Sequence, residues 1–417
     1  MKHWTWVGLL ALVYFLAAFF AVRDNTFVID DLAQIHEGIK NFTHPSTILE
    51  PDYAGRKHIV TSLFLGAVHT LFGTNPFPYH VSLLVFHAMI FLLLIFLGLS
   101  VGLDRRGAAL GALFFLILGI HFQAVAWIGN ITRVLMTLFL LLAFLCFGRF
   151  RKTGNPLPLF GFWAFWVLGL QSSPDAVVLP VLLGGYDFLI LRRNLFSKKN
   201  RKGLWLYGAM ALSAALYLFS QLFFYSGLRF VDGLTSGHFQ WGRRVAGVLW
   251  ALANLFIPRR EILEPWIEPT SFHRILIPAV ALLPFPWLLF RSRGLLLKDK
   301  SFRSIALFSF LWFVIAFLPF AALNRTAPWR EFPPARYFYI PLIGLSLFVG
   351  KAGEIVLNTV ADLRSKNFRR AVLSWISLAG IFFYLMNVST FCFMADKLDL
   401  NWRVKRAASV EGPTNPQ

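Results

Sequence analysis

The stretch WTWVGLLALVYFLAAFFAV (residues 4–22), followed closely by Phe27-Val-Ile-Asp-Asp-Leu-Ala-Gln-Ile-His36, decides the fold. The first run is apolar over close to the roughly 20 residues a helix needs to cross a hydrocarbon core. Its short basic start resembles a signal peptide, but Arg23-Asp24 stands where a small-residue cleavage site would be, so it reads as a retained first span. The second piece sets two adjacent carboxylates, Asp30 and Asp31, just past the membrane exit, with Glu37 close behind. A helix over residues 29–40 would align Asp30, Gln34 and Glu37 on one face. Acids this near lipid are costly unless hydrated, paired or used. Position alone leaves a solvated helix start and a functional site as equal readings.

Working outward, similar runs recur to the end of the chain. Of 417 residues, 57% are hydrophobic and only 14% charged, against about 25% charged in a soluble domain; mean hydropathy is +0.62. The pattern predicts an all-α polytopic membrane protein, without the short alternating segments of a membrane barrel. With the N-terminus inside, spans fall near 4–22, 78–99, 107–120, 131–149, 157–171, 176–191, 203–226, 275–290, 304–323, 337–350 and 371–391, about eleven in all. The short run 245–258 is flanked by Arg243-Arg244 and Arg259-Arg260 and reads as re-entrant or interfacial. Residues 23–77 form a long outer loop carrying the acidic motif and an apolar interfacial helix from Arg56 to Phe72. Lys351–Arg370 reads as a basic inner surface segment. Residues 1–395 form the membrane domain and 396–417 a polar tail whose Pro-Thr-Asn-Pro end is expected to be disordered.

The net charge of +20 (40 Lys and Arg, 20 Asp and Glu) does not point to nucleic acid, because the basic residues gather in short loops between apolar runs. Cys146 and Cys392 sit inside apolar runs and read as small buried hydrophobes. No phosphate-binding loop, dinucleotide fingerprint or HExxH is present, which disfavours an ATP-driven pump and a zinc protease.

Most acids sort to the predicted outer side: Asp24, Asp30, Asp31, Glu37, Glu50, Asp52, Asp175, Asp232 and Glu331. Arg56, Lys57, Arg133, Arg229, Arg325, Arg330 and Arg336 accompany them, against the usual inner bias of basic residues. A phosphate-bearing lipid is one reason for such arginines; salt bridges to the acids are the other. Arg133 follows Ala124-Val-Ala-Trp127-Ile at the outer mouth of a span, where Trp127 fits an interfacial belt or faces a sugar. Asp175, in Ser172-Ser-Pro-Asp, reads as a helix cap or as a second carboxylate near the first. Asp187 reads as the cap at the inner end of its span. His80 and His87, seven apart on one helix face, suit packing or a headgroup better than a metal.

These pieces, taken in order, resemble the GT-C superfamily of membrane glycosyltransferases, nearest to the protein O-mannosyltransferase-like enzymes that carry a tetratricopeptide tail. The matching elements are Asp30-Asp31, Arg56, Leu71-Phe-Gly-Thr-Asn-Pro76 before Tyr79-His80 and His87, Ala124-Val-Ala-Trp127-Ile with Arg133, Ala176-Val-Val-Leu-Pro180 with Tyr186-Asp187, and Ala335-Arg-Tyr-Phe-Tyr-Ile-Pro341-Leu-Ile-Gly344. The resemblance implies a donor sugar on a polyprenyl phosphate, Asp30 or Asp31 as general base, and Arg133, Arg336 and, more loosely, Arg56 on the donor phosphate. Asp175, Trp127, His80, Tyr337 and Glu37 would support them. Two carboxylates could also hold a divalent metal ion, which some members need and others do not. Pro174-Asp175 stands where relatives often have Lys-Glu, and the tetratricopeptide tail is absent, so the acceptor (glycan, lipid or protein) stays open. The expected setting is the inner membrane, with the site facing the periplasm or exterior. A flippase of lipid-linked sugars, or a polysaccharide polymerase or ligase, are the rival readings.

Overall fold

A computed structural model describes residues 2–28, 30–52, 57–193, 201–223, 299–321, 335–363 and 365–410. Thirteen α-helices are described: Lys2–Val22 (α1), Asp31–Thr43 (α2), Ile59–Phe72 (α3), Phe77–Val101 (α4), Arg105–Ile117 (α5), Phe122–Ala126 (α6), Ile131–Thr153 (α7), Leu157–Ser172 (α8), Leu179–Gly185 (α9), Arg201–Phe223 (α10), Lys300–Ala321 (α11), Pro341–Ala361 (α12) and Lys366–Val410 (α13). The described residues contain no strand, as the composition requires of a chain whose backbone must satisfy itself in lipid.

Seven of these helices are long and apolar enough to cross a membrane, or eight if α5 and α6, bent by 53° at Leu118, count as one. The chain is thus a multi-pass membrane protein. The runs 245–258 and 275–290 lie outside the described residues. The 157–171 run forms α8, 16 residues long, as expected in its bounds but short for a crossing. One expected span differs from the sequence reading. The 176–191 run is broken into a 3-10 turn (Pro174–Val178), α9 and a π-helical turn (Tyr186–Ile190), with Pro180 held to the first turn of α9, where a proline costs least. The basic segment after residue 350 is also corrected. α12 runs on to Ala361, and Lys351 is satisfied within it by Glu354 (2.5 Å), whose other oxygen accepts the Asp104 N–H (3.0 Å). The tail from Asp396 continues α13 to Val410, anchored where Asp399 Oδ1 accepts from the Thr26 N–H and hydroxyl (2.7 and 2.6 Å). The Pro-Thr-Asn-Pro end lies outside the described residues.

Small residues let the helices approach closely, which in lipid replaces the missing hydrophobic drive. α2 crosses α3 at Gly38, where an added Cβ would stand 2.8 Å from the Gly66 nitrogen. α5 crosses α12 at Gly107, where one would stand 2.9 Å from the Gly350 carbonyl oxygen. α1 and α13 lie together and turn Leu9, Leu12, Leu16 and Phe20, and Leu378, Ile381 and Leu385, outward. α7 is the ruler of the bundle: Arg133 and Arg151 lie near its two ends, roughly 27 Å apart at helical rise, close to a bilayer core.

Candidate active site

The acid pair divides in two at the start of α2. Asp31 is fully buried (0% exposed), which corrects the reading of a solvated helix start. Its Oδ2 accepts the Val28 N–H (2.8 Å) and its Oδ1 the Gly129 N–H (2.7 Å), 98 residues further on. Burial pushes its carboxyl up to about 7. The Val28 and Gly129 N–H groups and the Trp127 indole N–H pull the other way, and the Asp30 charge adds to the rise. Asp30 occupies the position before the first helical residue, yet its side chain caps nothing in α2. Its Oδ1 instead meets Gln34 Nε2 and Trp127 Nε1 around Gly129: a Cβ there would lie 2.8, 2.7 and 3.0 Å from the three atoms. Gln34 also donates to the Gly129 carbonyl (3.2 Å). Only glycine leaves these polar atoms room to converge.

Trp127 sits in the segment created by the break between α5 and α7, with a 3-10 turn at Ile128–Asn130. Its ring lies under the Arg336 guanidinium, 4.7 Å from the centroid. The Tyr337 ring lies next, 5.2 Å from Arg336 and 4.7 Å from Arg133. Arg133 donates to Asn130 Oδ1 (3.1 Å) and faces Asp175 at 3.9 Å. Asn130 donates to the Gln123 carbonyl (2.7 Å), and Gln123 Oε1 accepts the Arg336 N–H (3.2 Å), joining the two segments through main chain. Asp30, Asp31, Trp127, Arg133, Asp175, Arg336 and Tyr337 thus form one continuous run of contacts.

Two expected members fall elsewhere. Glu37 faces buried Lys57 (3.5 Å) and accepts from Asn41 (3.1 Å), because its turn of α2 looks toward the loop before α3 and not toward Gly129. His80 is buried in the first turn of α4 beside Asn25, Thr26 and Asp399. Arg56 lies outside the described residues, as do Arg229, Asp232, Arg325, Arg330 and Glu331. Asp175 caps nothing itself; Ser173 takes that role and donates to the Asp175 carboxylate (3.2 Å). Asp187, expected as a cap, is fully buried at the opposite end. It pairs with Arg151 (2.5 and 3.0 Å) and accepts from the Tyr207 hydroxyl (3.0 Å). Sequence reasoning missed Gly129, Asn130 and Gln123; the one available signal was a glycine and a polar residue directly after Trp127-Ile.

Among the described residues the donor set does not fit a divalent ion. Both Asp31 oxygens are taken by main-chain N–H groups, and among the described residues no group of three or more His, Cys, Asp or Glu side chains converges.

No protein-family model matches the sequence, and no curated protein does. The solved structures that resemble the chain include two of one protein. One is ArnT from Cupriavidus metallidurans in the apo state, at 12% identity and a TM-score of 0.46, over 96% of this chain and 76% of that one. The other is the same organism's ArnT bound to undecaprenyl phosphate, at 12% identity and a TM-score of 0.42, over 95% of this chain and 76% of that one.

Proposed function

We propose that the chain is a membrane glycosyltransferase that moves a monosaccharide from a polyprenyl-phosphate donor to an acceptor hydroxyl on the outer side of the membrane, with inversion. The observation that carries this reading is the run from a carboxylate, through an indole and a phenol ring, to two guanidinium groups. Acid at one end and fixed positive charge at the other is what the transfer needs. Asp30 is the base, because the oxygens of Asp31 are already occupied by the main chain. As the acceptor oxygen bonds to the anomeric carbon from the face opposite the phosphate, Asp30 takes the hydroxyl proton. The bond from that carbon to the phosphate oxygen breaks, and Arg133 and Arg336 offset the charge that grows on the leaving phosphate. The products are the glycosylated acceptor and polyprenyl phosphate. A carrier of lipid-linked sugars would instead need basic side chains along a path. Here Arg151, at the other end of α7, is engaged by Asp187.

The test is transfer from an undecaprenyl-phosphate-linked sugar in proteoliposomes. Asp30→Asn should lower turnover about a hundredfold or more, the scale of a lost general base, while undecaprenyl phosphate binding survives. Full activity of Asp30→Asn would reject the assignment.

A further inference from the structure

His87 lies in the middle of α4, fully buried, and the mechanism above does not use it. Its Nε2 is 3.4 Å from the Leu116 carbonyl oxygen and its Nδ1 is 2.7 Å from the Tyr339 hydroxyl. A carbonyl can only accept, so Nε2 carries the hydrogen and Nδ1 is left as the acceptor of the Tyr339 O–H. Both partners matter for their places in the chain. Leu116 is in the last turn of α5, where carbonyls lose their helical partners, just before the break that leads to Gln123 and Trp127. Tyr339 closes the turn whose Ala335–Phe338 3-10 stretch carries Arg336 and Tyr337, and its N–H reaches the Arg336 carbonyl (3.4 Å). The rings of Phe115 and His121 pack against Tyr339 at 5.3 and 4.9 Å, so the contact is closed to water on those sides.

We infer that His87 is a positioning residue: one imidazole on α4 ties together, from beneath, the two separate segments that supply the Trp127 and Tyr337 faces on which the guanidinium groups rest. No aliphatic or aromatic hydrocarbon can donate to one segment and accept from the other. Only the functional part of this inference rests on the glycosyltransferase reading.

The experiment therefore has two arms. In a Cys146→Ala, Cys392→Ala background, a cysteine introduced at position 336 is labelled with a membrane-impermeant maleimide, and one introduced at exposed position 44 serves as control. His87→Leu should raise the labelling rate at 336 about tenfold or more and leave the rate at 44 unchanged, and His87→Gln, which can donate and accept, should restore it. An unchanged rate at 336, or an equal rise at both positions, overturns the inference. In the chain with Arg336 intact, His87→Leu should raise the KM for the undecaprenyl-phosphate-linked donor by about tenfold with kcat little changed. If the wild-type chain transfers no such sugar, the function reading fails while the labelling arm still decides the role of His87.

Discussion

Asp31→Asn separates the acid pair most cleanly, because it removes ionisation and keeps size. The folded carboxyl titrates near 7 against an ordinary value of 3.8, with burial as the main cause. Between those values the unfolded chain has released its proton and the folded chain still holds it. The folded state then binds more protons, so its stability falls as pH rises, and the loss levels off above 7. Each unit is worth about 1.4 kcal/mol, so roughly 3 kcal/mol disappears between pH 5 and 7. Asparagine has no such dependence. It also keeps one acceptor oxygen for Val28 or Gly129 but presents an amide N–H₂ to the other, a cost of about 1–3 kcal/mol at every pH. Denaturation of the purified protein in nanodiscs, followed at pH 5, 6, 7 and 8, should therefore show the wild type losing about 2–3 kcal/mol relative to Asp31→Asn between pH 5 and pH 8. Taking the difference between the two proteins cancels the titrating groups that do not interact with Asp31. Parallel curves from pH 5 to 8 would refute the buried, proton-holding Asp31.

Three further outcomes are expected. Gly129→Ala puts a methyl group within 3.0 Å of Asp30, Gln34 and Trp127 atoms; transfer should drop tenfold or more, at a cost in stability of about 1–3 kcal/mol, measured by turnover and denaturation on the same preparation. Arg133→Lys replaces a planar group stacked on Tyr337 with a point charge; the donor KM should rise about tenfold, and an unchanged KM would remove Arg133 from the donor site. Arg151→Ala strands the fully buried Asp187 charge and should cost about 3–5 kcal/mol of stability; a loss no larger than that of Arg23→Ala, an exposed pair, would show the pairing to be incidental.

How much of this the sequence disclosed follows from what each feature depends on. Helices and their ends were legible because apolar length and flanking charge are local properties; α1, α4, α7 and α10 fall near the expected boundaries. The sorting of Asp175 with Arg133 at one end, and Asp187 with Arg151 at the other, was legible from the same charge pattern. The break at Leu118 was not, since nothing in Leu116-Ile-Leu-Gly-Ile-His121 opposes a continuous helix except one glycine. The departure of Glu37 from its predicted neighbours was hidden for a related reason. Its i, i+7 relation to Asp30 is real, but two helical turns advance it by roughly 10 Å along the axis, past Gly129 and into reach of Lys57. Spacing predicts a shared face, and distance along that face still separates the partners.

The two arginines of α7 are held in different ways at its two ends. Arg151 is held by a carboxylate at 2.5–3.0 Å, with a tyrosine hydroxyl on the same carboxylate. Such a pair cancels in place and acts as a structural bolt. Arg133 stands 3.9 Å from Asp175 and over the Tyr337 face at 4.7 Å. A ring face fixes the plane of a guanidinium through its quadrupole, at about 0.5–2 kcal/mol, without neutralising it. Arg336, stacked on Trp127 and Tyr337, is held the same way. This aromatic support stands near an acid pair of which burial raises Asp31 to about 7. Below that pH the acid pair therefore carries less negative charge than its two aspartates suggest. In the proposed reaction a donor phosphate would meet the guanidinium end, and Asp30, at the other end of the run past Trp127, would face the acceptor hydroxyl.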